Sequence, residues 1–550
     1  MTQTLSFNWI LQLVKKELST EAYEKFKLEL QDNLTLVWEQ AATALNISIP
    51  ELAKKISTEF SFELAELPST FPDISDFPYS ILKNHSVIPT KENDTHIFIA
   101  TASPFDQEAF SILSFLTDKH IELIIASPQK ITEWMAAHFP GDNIQTINTA
   151  KSSSTVNSSA IVRLVRKMLE KALLDGASDI HLEPFNNEAI VRFRIDGLLK
   201  KIITLPWSVY EHVVRRIKVV SQMDTTNAHI PQDGHVHLDT SQGPLDLRVS
   251  SMPVNGGEKF VVRILNTSSI NSLDEQNFLA REAQILKDLM LQKNGILIIS
   301  GPTGSGKTTT LNSAINEINT LDKCIVTIED PVEYKIEGIA QINIDSAQGL
   351  TFDIALRHTL RQDPDVILVG EIRDSETAET AIRSALTGHL VLTTLHTIDA
   401  ITIIPRLKDL GISDTLMADS LKGLAGQRLV RKLCPNCAVT IKSTESKIEQ
   451  KFETVNGKPP AKRAHGCGKC DNSGYKGRIP LLEIIAIDKV FADAIRTGAT
   501  TKQLASLARQ QGMLTMGEIA VEHILNGSTT AEEAFRVLGN DLFSASHLSD

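Results

Sequence analysis

Gly295-Ile-Leu-Ile-Ile-Ser-Gly-Pro-Thr-Gly-Ser-Gly-Lys-Thr308 is the stretch around which the chain is read. Its first six residues form an apolar run short enough for a strand buried on both faces. A glycine-spaced loop follows, and a helix-forming stretch begins at Lys307. Buried strand, G-x-x-x-x-G-K-[ST] loop and helix, in that order, make a phosphate-binding unit. The loop Gly301, Pro302, Thr303, Gly304, Ser305 and Gly306 is expected to wrap phosphates, with the positive end of the helix behind it. Lys307 is placed to neutralise β and γ phosphates and the Thr308 hydroxyl to ligate magnesium, with Thr309 beside them. ATP and Mg2+ are therefore the expected nucleotide and ion.

Three more strands read outward from this one. Asp365-Val-Ile-Leu-Val-Gly370 delivers Glu371 at its C-terminal end, where open parallel sheets bind ligands. Glu371 is the expected magnesium-holding acid. Cys324-Ile-Val-Thr-Ile328 ends in Glu329-Asp330-Pro-Val-Glu333. Three carboxylates at one strand end repel one another unless a cation or a proton sits among them. Glu333 is the expected general base for the attacking water, with Glu329 and Asp330 near the nucleotide. Cys324, placed inside its strand, reads as a core residue. The last strand, Leu390 to Leu395, is bracketed by His389 and His396, which are candidates to sense the γ phosphate or relay a change of shape. Alternating strands and helices from about Leu273 to Leu410 predict a parallel sheet.

Away from this core the chain divides by composition. At 550 residues it is too long for one hydrophobic core. The first 65 residues read as helices, with Phe7, Ile10, Leu11 and Val14 at helical spacing. A Pro- and Ser-bearing stretch, Pro68 to Pro78, precedes short strands and helices from Val87 to Phe139, and the small α/β domain over 66–150 reads as a docking domain. Lys151-Ser-Ser-Ser-Thr-Val-Asn-Ser-Ser159 reads as a linker. The helix Ile161 to Leu174 and the strands Ile180 to Glu183 and Ala189 to Ile195 open a further domain, and Asp196-Gly197 signals a hairpin. Arg192 and Arg194 share one strand face there and read as structural or interface residues. His235 and His237 also share a face, but without a third ligand nearby they read as solvated.

Met1 to Leu18 is amphipathic and lacks a signal-peptide cleavage pattern, and no apolar run is long enough to span a bilayer, which places the expected site of action in the cytosol. A net charge of −12 argues against a general nucleic-acid binder.

Four blocks in order carry a resemblance: Gly301-Pro-Thr-Gly-Ser-Gly-Lys-Thr-Thr-Thr-Leu311, Ile328-Glu-Asp-Pro-Val-Glu-Tyr334, Leu360-Arg-Gln-Asp-Pro-Asp-Val-Ile-Leu-Val-Gly-Glu-Ile-Arg-Asp374 and Thr387-Gly-His-Leu-Val-Leu-Thr-Thr-Leu-His-Thr397. They resemble the Walker A, Asp box, Walker B and His box of the secretion-ATPase superfamily, in particular its assembly ATPases of type II secretion and type IV pili. The similarity spans roughly residues 160 to 485. It implies a RecA-like P-loop core over 269–425, a preceding PAS-like α+β domain over 160–268 and a homohexamer. It also implies an inner-membrane platform protein as partner, work at the inner face of the cell membrane, and a cytoplasmic adaptor on the N-terminal region. Arg248 and Arg263 resemble the arginines that close over nucleotide, while Arg357 and Arg361 resemble active-site or subunit-interface residues. One departure stands out: Thr226-Asn-Ala-His-Ile230 replaces the basic residues usual before Pro231-Gln-Asp-Gly234.

Cys434-Pro-Asn-Cys437 and Cys467-Gly-Lys-Cys470 present two thiolate pairs, which suit tetrahedral Zn2+ in a structural site over 426–485. The long polar stretch between the pairs is expected to be a loop. By resemblance the element helps to engage the platform protein, and a helical region closes the chain over 486–550. Two other readings stay open at this stage, a nucleic-acid translocase and a nucleotide-switched scaffold with weak hydrolysis.

Overall fold

The computed structural model describes residues 7–138 and 158–544, apart from 32, 67, 69–71, 73–76, 187, 241–242 and 267–271. The expected linker, except for its last two residues, and most of the 68–78 stretch lie outside the described residues. The chain forms two compact units, Met1–Asp239 with Leu245–Leu265, and Thr240–Pro244 with Asn266–Asp550.

The first unit opens with four helices, Asn8–Lys15, Thr20–Glu29, Leu34–Leu45 and Ile49–Phe60. Ser19, Asn33 and Ser48 cap the last three by accepting first-turn N–H groups, which sets where each begins. Trp38 is fully buried and donates its indole N–H to the Ala102 carbonyl at 3.0 Å, fastening these helices to the sheet that follows. That sheet runs in the order Glu63–Leu64, His120–Ile125, His96–Thr101, Val87–Glu92, with helices Gln107–Leu116 and Pro128–His138.

The unit's second sheet has six strands, ordered Leu198–Pro206, Glu188–Ile195, Ala177–Phe185, Gly257–Asn266, Gly243–Val254, Gln232–Thr240. Asp196 and Gly197 both take positive φ, 48° and 85°, as the expected hairpin turn requires.

A seven-stranded sheet organises the second unit. Its order is Ala340–Asn343, Ile325–Glu329, Val366–Val369, Leu390–Leu395, Gly295–Ser300, Leu421–Leu433, Tyr475–Ala486. All neighbours are parallel except the last pair, which is antiparallel. Every residue of Gly295–Ser300 is buried. Ile296 and Ile298 enter one core while Leu297 and Ile299 enter another, so apolar side chains fill both faces. The Leu390–Leu395 strand stands between those of the P-loop and of Glu371, the RecA-like arrangement.

Two expectations are corrected here. Cys324 is exposed and precedes its strand, which begins at Ile325. Its backbone N–H is taken by the Asp365 carboxylate at 2.7 Å, which holds it at the rim of the sheet rather than in the core. The stretch between the cysteine pairs is no simple loop, because it contains the helix Lys447–Asn456. Ser446 and Glu449 form a capping box, and the helix buries Phe452. The expected helical tail is present as Thr501–Gln510, Met516–Leu525 and Ala531–Leu538. Among the described residues, no helix is long and apolar enough to cross a membrane.

Candidate nucleotide and metal sites

Register brings the four motif loops to one edge of the second unit's sheet. Ser300 pairs with Leu395, Thr393 with Val369, and Val369 with Ile328, so these strands end nearly level. Gly301, Glu329, Glu371 and His396 therefore emerge together at the C-terminal ends of parallel strands, where such sheets bind ligands.

The loop geometry needs its glycines. Gly301, Gly304 and Gly306 have φ of 149°, 78° and 84°. A Cβ on Gly301 would stand 2.4 Å from the Gln427 carbonyl oxygen, whereas one on Gly304 would meet no protein atom within 4 Å. Close packing below and open space above suit a phosphate cradle at the N-terminus of Lys307–Ile318. The Lys307 ammonium donates to the Gly301 carbonyl at 2.7 Å and the Pro302 carbonyl at 3.2 Å. Burial lowers its pKa, and the nearby Glu371 carboxylate opposes that shift.

Glu371 is bound by Arg373 and lies 3.3 Å from His396 Nε2. Burial alone would raise its pKa, but Arg373 and His396 hold it below the usual carboxylate range. An ionised carboxylate here and the Thr308 hydroxyl in the helix's first turn are hard oxygen donors of the kind magnesium takes.

The three carboxylates of the Asp box are separated by their surroundings. Glu329 is buried, accepts from the Thr327 hydroxyl at 2.7 Å and Gln341 Nε2 at 3.2 Å, and has its pKa raised by that burial. Asp330 lies 3.5 Å from Arg373, which thus joins the Asp box to Glu371. Glu333 lies in the loop beyond, where the next residue, Tyr334, brings its hydroxyl to 3.5 Å from that of Thr309.

His389 sits at the N-terminal end of its strand, with Nδ1 2.9 Å from the Ser384 carbonyl. A six-residue strand, about 20 Å long, separates it from His396. Arg357 pairs with Asp353 at 3.0 Å, and Arg361 Nη2 lies 2.7 Å from His358 Nδ1. In the first unit Arg263 pairs with Asp179 at 3.0 Å, Arg194 lies 3.7 Å from the same carboxylate, and Arg192 pairs with Glu183. Arg248 is half-buried on Gly243–Val254. His237 pairs with Asp246.

Arg373 has no role assignable from the sequence alone. The signal was a cation two residues after the Walker B acid, but only the meeting of the two loops reveals its partners. Arg373→Ala is expected to let the Glu371 pKa rise and to lower kcat about tenfold to a hundredfold, the size of a small misplacement of reacting groups. The acid limb of the pH–rate profile should move to higher pH. An unchanged profile would remove Arg373 from the site.

The four cysteine sulfurs all lie within 4.8 Å of one another. Three of the edges are 4.0 Å for Cys434–Cys467 and 3.7 Å for both Cys437–Cys470 and Cys467–Cys470. Tetrahedral Zn–S bonds of about 2.3 Å imply edges of about 3.8 Å, so the thiols fit zinc. Burial would raise the Cys470 pKa, but the N–H groups of Cys467 and Gly474 and the neighbouring thiols bring it to about 6. No other cluster of metal-ligating side chains occurs among the described residues.

A glycine cradle, its lysine and an ionised strand-end acid on a RecA-like sheet define a P-loop ATPase. The type II/IV secretion system protein family model matches residues 154–536, and the MshEN domain model matches 57–144. The chain belongs to the type II/IV secretion system protein family. It is 34% identical to the type II secretion system protein E of Aeromonas hydrophila over 88% of this chain and 99% of that one. It is 33% identical to the type IV pilus assembly ATPase PilB of Myxococcus xanthus over 96% of this chain and 98% of that one. The solved Legionella pneumophila ATPase DotB shares the fold, with a TM-score of 0.52 and 21% identity over 71% of this chain and 97% of that one.

Proposed function

We propose that this ATPase powers assembly of a type II secretion pseudopilus or a type IV pilus from the cytoplasmic side of the inner membrane. It would work as a homohexamer on a platform protein, with an adaptor docked on its N-terminal region. The observation that carries this reading is the near full-length match to both a secretion protein E and a pilus assembly ATPase.

Thr308 and Glu371 are the residues that would hold magnesium, which neutralises phosphate charge when bound. Lys307 neutralises the β and γ phosphates. Glu333 takes the proton of the attacking water, and His396, through its contact with Glu371, reports the state of the γ phosphate. Arg248 and Arg263 serve as transition-state or closure arginines, and Arg357 and Arg361 act in the active site or at a subunit interface. Closure on ATP and reopening after hydrolysis, in turn around a ring, convert chemistry into displacement. Cys434, Cys437, Cys467 and Cys470 would hold Zn2+, which fixes the shape of the element that meets the platform.

Deletion of the gene, scored for surface pili and extracellular enzymes with Lys307→Ala as control, tests the assignment. Loss of secreted enzymes alone identifies a secretion motor, and loss of pili alone a pilus motor. If neither changes in a host without a paralogue, the proposed role is wrong.

A further inference from the structure

Gln427 lies in the strand Leu421–Leu433, is 1% exposed, and serves no part of the nucleotide chemistry described above. Its side-chain Nε2 donates to the Ser305 carbonyl at 2.9 Å. Its backbone carbonyl is the atom a Cβ on Gly301 would strike, and its Nε2 would lie 3.0 Å from a Cβ on Gly306. One residue thus supports both ends of the phosphate loop. Its Oε1 is buried and has no hydrogen-bond partner among the described residues. A flipped amide would set Oε1 against the Ser305 carbonyl, acceptor against acceptor, so the loop fixes the orientation of the amide.

The same strand ends at Leu433, immediately before Cys434. It pairs with Tyr475–Ala486, which begins five residues after Cys470. The pairing runs from Gln427 opposite Leu482 to Leu433 opposite Tyr475, about 20 Å of doubled strand. Opposite Gly426 stands Glu483, buried, whose carboxylate accepts the backbone N–H groups of Ala400 at 3.0 Å and Met516 at 3.2 Å. Ala400 follows His396 by four residues. The Ser300 hydroxyl, just ahead of the P-loop, lies 3.1 Å from the carbonyls of both Asp399 and Ala425. The two strands that carry the cysteine cluster at one end are therefore fastened at the other to the P-loop and to the loop after His396.

We propose that Gln427 is a positioning residue that couples the cysteine cluster to the P-loop, so that metal at the cluster tightens nucleotide binding. This rests on the zinc reading of the cluster. Packed elements with two discrete arrangements carry such coupling, and paired strands pass a change at the tip to the root. Glu483 shares the load by holding the neighbouring loop.

The test uses the full chain, with its zinc content measured first. Affinity for mant-ADP is then compared before and after treatment with a zinc-selective chelator, magnesium being kept in excess, in wild type and Gln427→Met. Methionine keeps the volume and removes the donor. Zinc removal should weaken mant-ADP binding by roughly tenfold in wild type, an ordinary allosteric coupling. It should also speed amide exchange at Ser305 and Gly306. In Gln427→Met affinity should begin lower, and the zinc effect should shrink to less than about twofold. Wild-type loop exchange and affinity that ignore zinc would overturn the coupling while leaving the zinc site standing. An undiminished zinc effect in Gln427→Met would exclude Gln427 as the link. A chain that binds no zinc would sink both readings. Should the variant not fold, exchange in the wild-type P-loop decides.

Discussion

Lys307→Ala should reduce ATP hydrolysis by about a thousandfold or more while leaving the thermal midpoint of the second unit nearly unchanged. Removing a single donor aimed at developing charge costs an active site about 10² to 10³ in rate, and Lys307 brings a full positive charge. A thousandfold corresponds to about 4 kcal/mol. The structure explains why stability should survive the change. The ammonium is mostly buried, and burial lowers its pKa, so the fold bears a cost for keeping it charged. Its protein partners are two loop carbonyls rather than an ion pair in the core. Lys307→Arg should fail almost as badly, because a planar, wider guanidinium does not replace a compact ammonium under a tight loop. Phosphate release, nucleotide affinity and a thermal scan on the same preparation check this. A large fall in thermal midpoint would mean that the lysine supports the fold, and the lost activity would then say nothing of chemistry.

How far the site could be read in the sequence follows from what each residue must do. The P-loop, Glu371 and the cysteine pairs were legible because phosphate and metal demand fixed residue types at fixed spacing. Strand-end placement then followed from the sheet, and the structure brings Lys307, Glu371 and His396 together. Residues whose significance lies in long-range partners were not legible. Arg373, beside Glu371, reaches Asp330 across 43 residues of chain, and Gln427 reaches Ser305 across 122. His389 and His396 look equivalent in sequence, yet strand direction puts one at each end of the sheet. Asp box carboxylates adjacent in sequence are sorted by burial, which takes Glu329 into the sheet while Asp330 meets Arg373. Cys324 stands at the rim, not in the core, because a one-residue change in where a strand starts decides between the two. The helix Lys447–Asn456 is hard to read in the sequence because its polar composition masks a capping box and a single buried phenylalanine.

The C-terminal region should depend on one buried carboxylate more than on any single apolar contact. Glu533 has a fully buried side chain and pairs with both Arg431 and Arg536, at 2.8 Å and 2.6 Å. It also accepts the Arg431 backbone N–H at 3.0 Å, and the Arg431 guanidinium lies 4.0 Å from the centre of the Tyr475 ring. Glu533→Ala would strand the Arg431 charge in a mostly buried place, and breaking a buried pair costs about 3–5 kcal/mol. The lower end is expected, because Arg536 is nearly half exposed and can return to water. Glu533→Gln should cost less, since one amide oxygen still accepts. Burial would raise the Glu533 pKa, but the two arginines hold it below the usual carboxylate value. A depressed folded-state pKa means the stabilisation is complete above the unfolded-state pKa and is lost as pH falls through the folded one. Wild type should therefore lose stability on acidification through this region, and Glu533→Gln should lose less. The probe matters, because all four tryptophans, Trp9, Trp38, Trp134 and Trp207, belong to the first unit. Tryptophan fluorescence should report an unaltered transition, while amide exchange in Leu421–Leu433 and Ala531–Leu538 accelerates. Acceleration confined to the helix would show that the long strand holds without this pair, and Glu533 would then be a local contact instead of the fastening of the tail to the sheet.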